Sequence, residues 1–174
     1  SISVILSNNI KSFGNTAFKD SGIKEIVIPD GITEIRSSTF SGCSNLKKVT
    51  FPEGLKVIDS YAFDECKSLT SVTIPESVTI LRGFTDCTGL QSITIPKNVT
   101  DVYFPGCDNL LKIYSYIENP TDISTIAFTR NSYYSGTLYV PKGTIEKYKS
   151  KTGWSSFTYI EEMQSFKLNY YVNR

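Results

Sequence analysis

Residues 32–54 read ITEIRSSTFSGCSNLKKVTFPEG, and residues 55–77 read LKVIDSYAFDECKSLTSVTIPES. The second stretch repeats the first position by position. Each opens on an apolar pair three residues apart (Ile32/Ile35, Leu55/Ile58), continues to an aromatic (Phe40, Phe63), and places a thiol three residues later (Cys43, Cys66). An apolar trio follows, Leu46-Val49-Phe51 against Leu69-Val72-Ile74, and Pro52 and Pro75 end the two runs. The last two members of each trio are two apart with a polar residue between them, which is the strand period, and β-branched residues suit that setting. Proline cannot donate into a continuing ladder, so it closes the strand and turns the chain together with the small or polar residues behind it.

The same frame runs outward in both directions. Residues 10–31 (IKSFGNTAFKDSGIKEIVIPDG) carry Phe18, Ser21 in the thiol position, and the trio Ile23-Ile26-Ile28 one residue early. Residues 78–98 (VTILRGFTDCTGLQSITIPKN) carry Phe84, Cys87 and Leu90-Ile93-Ile95. Residues 99–119 (VTDVYFPGCDNLLKIYSYIEN) keep Phe104 and Cys107 but lose the Ile-Pro ending. A unit of 21 to 23 residues cannot bury its own apolar face. Stacked units can, with strands about 4.8 Å apart in a parallel ladder. The spacing therefore predicts five rungs whose equivalent apolar side chains pile into one dry column. Between the opening pair and the aromatic, the fourth and fifth units are two and three residues shorter. That shortening changes the convex loops and leaves the predicted ladder intact.

The period and frame are those of leucine-rich repeats. The segments FSGCSNLKKVTFPEGLKVI, FDECKSLTSVTIPESVTIL and FTDCTGLQSITIPKNVTDV resemble the BspA-like family of such repeats, whose consensus runs close to F-x-x-C-x-x-L-x-x-V-x-I-P-x-x-V. The resemblance covers residues 10 to about 119, in register. It implies a β-rich solenoid with a parallel ladder, a convex side of turns and irregular chain, and a short capping helix. It also implies a secreted or cell-surface protein of bacteria, with adhesion to host proteins as one role. No ligand-contact motif recurs in the family, so the resemblance carries no binding residue across.

Totals narrow the chemistry. The 174 residues include 18 basic and 17 acidic side chains, a net charge of +1 that gives no reason to expect nucleic acid or an anionic membrane as partner. No apolar run approaches the roughly 18 residues of a membrane span, and no signal peptide is visible. Histidine is absent, which removes the commonest general base near neutral pH and every Ser-His-Asp or Cys-His mechanism within the chain. The paired acids Asp64/Glu65 and Glu161/Glu162 are sequence neighbours on turns expected to be exposed, with no pocket to raise a pKa. No catalytic residue, cofactor or metal site is expected, and the chain reads as a non-enzyme.

Four cysteines in a secreted protein ordinarily suggest disulfides. Here Cys43, Cys66, Cys87 and Cys107 share one repeat position and so fall on successive rungs. Neighbouring Cβ atoms would stand roughly 5 Å apart, beyond the usual 3.5–4.5 Å of a disulfide. No CxxC-like pair offers converging metal ligands. The expectation is a row of buried, reduced thiols acting as small hydrophobes.

Past the array, residues 120–162 read as a degenerate rung, carried by Ile126 and Phe128, followed by a cap. The segment GTLYVPKGTIEKYKSKTGWSSFTYIEE (136–162) resembles the closing piece of many such proteins. A solenoid leaves its last rung exposed, and something apolar must cover it. Leu138-Tyr139-Val140-Pro141 reads as one more strand, and residues 144–151 as a short helix with Thr144 as its N-cap. Ile145, Tyr148, Trp154 and Phe157 supply the covering face, while residues 117–135 read as an irregular crossover. Residues 163–174 read as the start of a following β-domain, on the alternation of FKLNYYVNR (166–174).

Solenoids bind along the strand face, where outward side chains form rows. One row is Val27, Thr50, Thr73, Thr94 and Tyr114; the row before it is Glu25, Lys48, Ser71, Ser92 and Lys112. Tyrosine offers large amphipathic contact area at low entropic cost, so a patch near the array's end, with Tyr114, Tyr116, Tyr103, Tyr133 and Tyr134 close in sequence, is the candidate recognition surface, with packing of most of those rings as the other reading. The candidate ligand-binding set is Lys48, Thr50, Thr73, Thr94, Lys112, Tyr114 and Tyr116. The partner expected is a host or bacterial surface protein, met by a monomeric module of a larger chain. A carbohydrate-binding accessory role and a passive spacer are the alternatives.

Overall fold

The computed structural model describes residues 3–164, so the FKLNYYVNR stretch read as a further strand lies outside them. In chain order the strands are β1 (Ser3–Val4), β2 (Glu25–Val27), β3 (Glu34–Ile35), β4 (Lys48–Thr50), β5 (Val57–Ile58) and β6 (Ile80–Leu81). They continue with β7 (Ser92–Ile95), β8 (Asp101–Val102), β9 (Lys112–Ser115), β10 (Thr137–Val140) and β11 (Tyr159–Glu162). Helix α1 spans Arg130–Ser135, α2 spans Ile145–Lys149, and a 3-10 turn covers Trp154–Ser156.

The opening pairs form a parallel ladder of their own, β3-β5-β6-β8, with Ile35, Ile58, Leu81 and Val102 in register. Outside the main ladder the expectation was of mostly turns and irregular chain. Opening segments that put one inward apolar side chain on every rung pair as readily as the longer strands do, so the second, fourth and fifth units each supply two short strands.

The main ladder is not continuous. It consists of one sheet ordered β1-β2-β4 and another ordered β11-β10-β9-β7. Between them residues 71–74, the strand of the third unit, pair with neither side. Among the described residues no backbone hydrogen bond joins 47–51 to 70–74, and one bond, from Gln91 N–H to the Thr70 carbonyl at 3.0 Å, ties that rung onward. Phe51 stands where other units have Ile28, Ile74 and Ile95, and its ring reaches edge-on to Phe63 of the next unit, 5.7 Å between centroids at 82°. Val49 and Val72 beside it are each one methylene smaller than Ile26 and Ile93 in the same row.

Beneath the gap the aromatic column is unbroken. Phe18, Phe40, Phe63, Phe84, Phe104 and Phe128 stack with centroids 5.0–6.0 Å apart and planes within 14°. Such pairs contribute about 0.5–1.5 kcal/mol each beyond area burial. Phe128 thus extends the column past the fifth unit, but Ile126, expected to share its rung, is 63 % exposed. All four cysteines are free and buried. Each thiol donates to the carbonyl of the aromatic one unit back: Cys43 to Phe18 (3.0 Å), Cys66 to Phe40 (3.3 Å), Cys87 to Phe63 (3.1 Å), Cys107 to Phe84 (2.8 Å). The repeated FxxC is therefore a bonding rule between units, in which a weak donor satisfies a buried carbonyl.

Turn geometry repeats as well. The residue before the thiol position is left-handed in every unit: Asp20, Gly42, Glu65, Asp86 and Gly106, with φ between 51° and 74°. A Cβ at Gly42 would land on the Asp20 carboxylate of the unit before, and one at Gly106 on that of Asp86. Thr16, Ser38 and Tyr61, two residues before the aromatic, are left-handed in the first three units. The shortened fourth and fifth units dispense with that turn.

The C-terminal end departs from expectation in three places. Residues 130–135 form α1, capped by the Thr129 hydroxyl on Ser132 N–H (3.2 Å), where an irregular crossover was read. A polar Ser/Thr/Asn run with two tyrosines gives little helical periodicity, so this turn of helix depends on Tyr133 packing against Phe128 and Phe157. Thr144 precedes α2 but caps nothing with its side chain, its hydroxyl donating instead to the Pro141 carbonyl (2.7 Å). Tyr159–Glu162 adds an unanticipated last strand. The covering aromatics do lie over the end of the column, with Tyr148, Trp154 and Phe157 buried. Ser115 replaces the isoleucine of earlier rungs and hydrogen-bonds the buried Tyr148 hydroxyl at 2.6 Å, while that hydroxyl also reaches the Ile117 carbonyl at 2.7 Å.

Candidate functional site

The strand face is built by alternation. In every rung the inward residue enters the column and the residues on either side of it point away. Lys48 and Thr50 flank buried Val49 on β4, both exposed. Thr94 on β7 is exposed and lies in register with Tyr114 on β9, and Tyr114 in turn with Tyr139 on β10. Lys112 is exposed and lies in register with Ser92 on one side and Thr137 on the other. Thr73 is exposed too, but on the unpaired segment, so the break divides the candidate set. Lys48 and Thr50 fall on one side of it, Thr94, Lys112 and Tyr114 on the other.

The tyrosines do not form the patch that their sequence proximity suggests. Tyr133 is buried in the cap. Tyr103 belongs to the end of the opening ladder and lies under the Arg82 guanidinium, 5.5 Å from its centroid. Tyr134 sits beside Arg130 on α1. Tyr114 stays on the strand face and stacks on Tyr139 with centroids 4.7 Å apart and planes at 11°. Tyr116 (49 % exposed) and Tyr159 (52 %) stand in the open. Tyr139 and Tyr159 were missed because their rungs break the Phe-Cys-Leu frame. Counting the outward position of Leu138-Tyr139-Val140 would have found the first.

Hollows open on this face. One of about 500 Å³ lies at the N-terminal end, lined by Val4, Glu25, Val27, Lys48 and Thr50 among others. A second, of about 580 Å³, occupies the break between β4 and residues 71–74. A third, of about 380 Å³, is bounded by Gln91, Ser92, Asn109, Leu111 and Lys112. Lys48 and Thr50 line both of the first two, so β4 is a ridge between them.

Elsewhere the structure offers little chemistry. The Asp64 carboxyl is raised above the usual range by partial burial, then by the nearby charges of Asp86 and Glu65, so the turn is less solvated than its sequence suggests. The Cys43 and Cys66 thiols are raised by burial, and Cys87 by its Cys107 neighbour and by burial, which makes them poor nucleophiles. Among the described residues no group of three His, Cys, Asp or Glu gathers as a metal site would require, and no helix is long and apolar enough to cross a membrane.

The profile of the BspA-type leucine-rich repeat region, in six copies, matches residues 11–135 and 82–174. Among solved structures, the T. pallidum leucine-rich repeat protein TpLRR is similar at 23 % identity and a TM-score of 0.52, over 64 % of this chain and 68 % of that one. A leucine-rich repeat protein from Bacteroides ovatus is similar at 20 % identity and a TM-score of 0.50, over 92 % of this chain. The chain spans 60 % of the length of that protein. At these identities the likeness is one of fold. None of the curated proteins matches the chain.

Proposed function

This chain belongs to the BspA-type leucine-rich-repeat family, and from that premise we propose that it is a non-enzymatic binding module of a bacterial surface or secreted protein, recognising a protein partner through its strand face. The observation that carries the reading is the coincidence of outward rows and hollows. Lys48, Thr50, Thr73 and Lys112 of the rows line the depressions, and β4 forms a ridge between two of them. Hydroxyls and ammonium groups over an apolar floor suit polar recognition, and the floor adds area that a partner side chain can cover. Buried thiols with raised pKa values and the lack of histidine favour binding over catalysis.

The test is binding of immobilised extracellular-matrix and plasma proteins to the intact chain. Replacing Lys48, Thr94 and Lys112 by glutamate leaves the column untouched and is expected to weaken binding at least about tenfold, a loss of about 1.4 kcal/mol. Equal binding by that variant and the parent refutes the reading. A carbohydrate ligand is the second possibility, favoured by the Tyr114–Tyr139 stack with Tyr116 and Tyr159 nearby. Glycan-array binding lost on Tyr116→Ala and Tyr159→Ala selects it over the first.

A further inference from the structure

Resting on the protein-binding reading, we propose that a diagonal stripe of tyrosines across the C-terminal sheet docks a proline-rich segment of a partner protein, held in the polyproline II conformation. The strand registers place the rings. Tyr139 on β10 lies opposite Tyr114 on β9, and Tyr159 on β11 lies opposite Thr137, two residues before Tyr139. Tyr116 follows Tyr114 by two residues and keeps the ladder through its N–H bond to the Ile95 carbonyl (3.0 Å). Buried Ser115 and Ile117 stand on either side of it, so Tyr116 faces outward as Tyr114 does. The strands are parallel, and Tyr116, Tyr139 and Tyr159 each fall one strand over and two residues back from the one before, a straight line across three strands. Strands about 4.8 Å apart and a rise of about 3.3 Å per residue make each step about 8 Å. Tyr116 and Tyr159, at the ends of the line, are exposed, and Tyr139 in the middle is half-buried against Tyr114.

The set of the central rings selects the occupant. Tyr114 and Tyr139 stack with centroids 4.7 Å apart, close to the spacing of their strands, and with planes at 11°. Their faces are therefore turned along the ladder toward one another, and the pair stands on edge above the sheet with a furrow on either side. A sugar ring needs an outward face to lie on, whereas a polyproline II segment docks in furrows between aromatic rings. That helix makes no internal hydrogen bonds, so its carbonyls are free to accept from tyrosine hydroxyls. With three residues per turn and a rise of about 3.1 Å per residue, a proline at every third position recurs about every 9 Å. The step of about 8 Å along the stripe is close to that period, and the side-chain torsions of the exposed rings take up the difference. Charge sets the rest of the segment. Exposed Lys112, two residues before Tyr114, borders one flank of the stripe, and exposed Glu161, in register with Tyr139, borders the other. The two edges of the segment that face away from the furrows then carry a carboxylate toward Lys112 and a cation toward Glu161.

The experiment is a calorimetric titration of the whole chain with a capped nine-residue peptide of three Pro-Glu-Lys triplets. Binding is expected, and it should fall at least about tenfold, or 1.4 kcal/mol, when alanine replaces the three prolines. Tyr116→Ala with Tyr159→Ala, both at exposed positions, should weaken binding by at least as much at an unchanged thermal midpoint. Glu161→Lys should weaken binding of this peptide and strengthen that of a Pro-Glu-Glu repeat of the same length, an exchange of preference that a loss of structure would not produce. Equal binding of the alanine peptide, or no loss in the double tyrosine variant, overturns the proposal. So does glycan binding at these tyrosines without binding of the peptide, which makes the stripe a sugar site. If the peptide does not bind but matrix proteins still do, and lose affinity when Lys48, Thr94 and Lys112 become glutamate, the stripe proposal alone falls. If peptide, matrix proteins and glycans all fail to bind, the binding-module reading falls with it.

Discussion

The two ladders of this solenoid are built from the same units, yet one is continuous and the other is cut. The opening ladder has strands of two residues, one inward side chain per rung, and never breaks from β3 to β8. The main ladder has longer strands and stronger strand-forming sequence, and it opens at the third rung. Strand propensity therefore does not decide continuity. The inward side chains of the opening row vary little in volume, from valine to isoleucine and leucine, whereas the main row carries Phe51 among isoleucines and valines. The aromatic column runs through regardless, so the molecule tolerates lost hydrogen bonds on one face while its side-chain stack remains whole.

The sharpest way to break the comparison is to remove the part both ladders share. Phe63 is fully buried, stacks on Phe40 and Phe84, and is the ring that Phe51 touches. Phe63→Ala should cost about 3–5 kcal/mol, read as a fall in denaturant midpoint at constant slope. A loss below 1 kcal/mol would mean that the ladders, and not the column, hold the units together.

The thiol bonds come next. Cys87 is fully buried and donates to the Phe63 carbonyl of the preceding unit. Cys87→Ala removes that donor and leaves a small void, for an expected loss of about 1–3 kcal/mol. Native thiols should resist alkylation until the chain unfolds, and full labelling of the folded protein would contradict their burial.

Alkaline pH separates the buried interior from the exposed face. Burial raises Cys43 and Cys66, and the Cys107 neighbour with burial raises Cys87, above their ordinary value of 9.0. Burial also pushes Tyr148 up to about 12, against the opposing effect of its Ser115 hydrogen bond. For each group the unfolded chain releases its proton first. Stability is therefore complete below about pH 9 and declines above it, and Tyr148 adds to the decline between its ordinary value of 10.0 and about 12. Equilibrium unfolding across pH 8–11 checks this, and a stability that rises over that interval would refute it.

The smallest effect concerns a turn. Tyr61 is 50 % exposed at φ 61°, a left-handed setting that costs a bulky residue roughly 1–2 kcal/mol. Tyr61→Gly relieves that strain but loses some unfolded-state restriction, so a net gain of about 0.5–1 kcal/mol is expected. The measurement is thermal midpoint, and a decrease would show that the ring contributes packing that outweighs its strain.

Much of this was legible from the chain alone. Phe40, Phe63, Phe84 and Phe104 stack because equivalent positions in a repeat must meet equivalent positions, so a pattern along the sequence becomes a pattern in space. The same logic left the cysteines unpaired and buried, and put Thr50, Thr94 and Lys112 on an outward face. It failed where repetition stops. Ile126 was read as core from its apolarity, because beyond residue 119 there is no frame to index it. The hollows were also out of reach, since each lies between segments of different units.

Sequence by itself thus determined the units, their inward and outward faces, and the rows along them, because those follow from a short period repeated in register. Tertiary structure alone decided that residues 71–74 pair with neither neighbouring rung, that Tyr114 meets Tyr139, and that each thiol finds a carbonyl one unit back. Such outcomes rest on distances between residues twenty or more apart and on how one side chain's volume is accommodated by the next rung. A single unit, read alone, contains neither quantity.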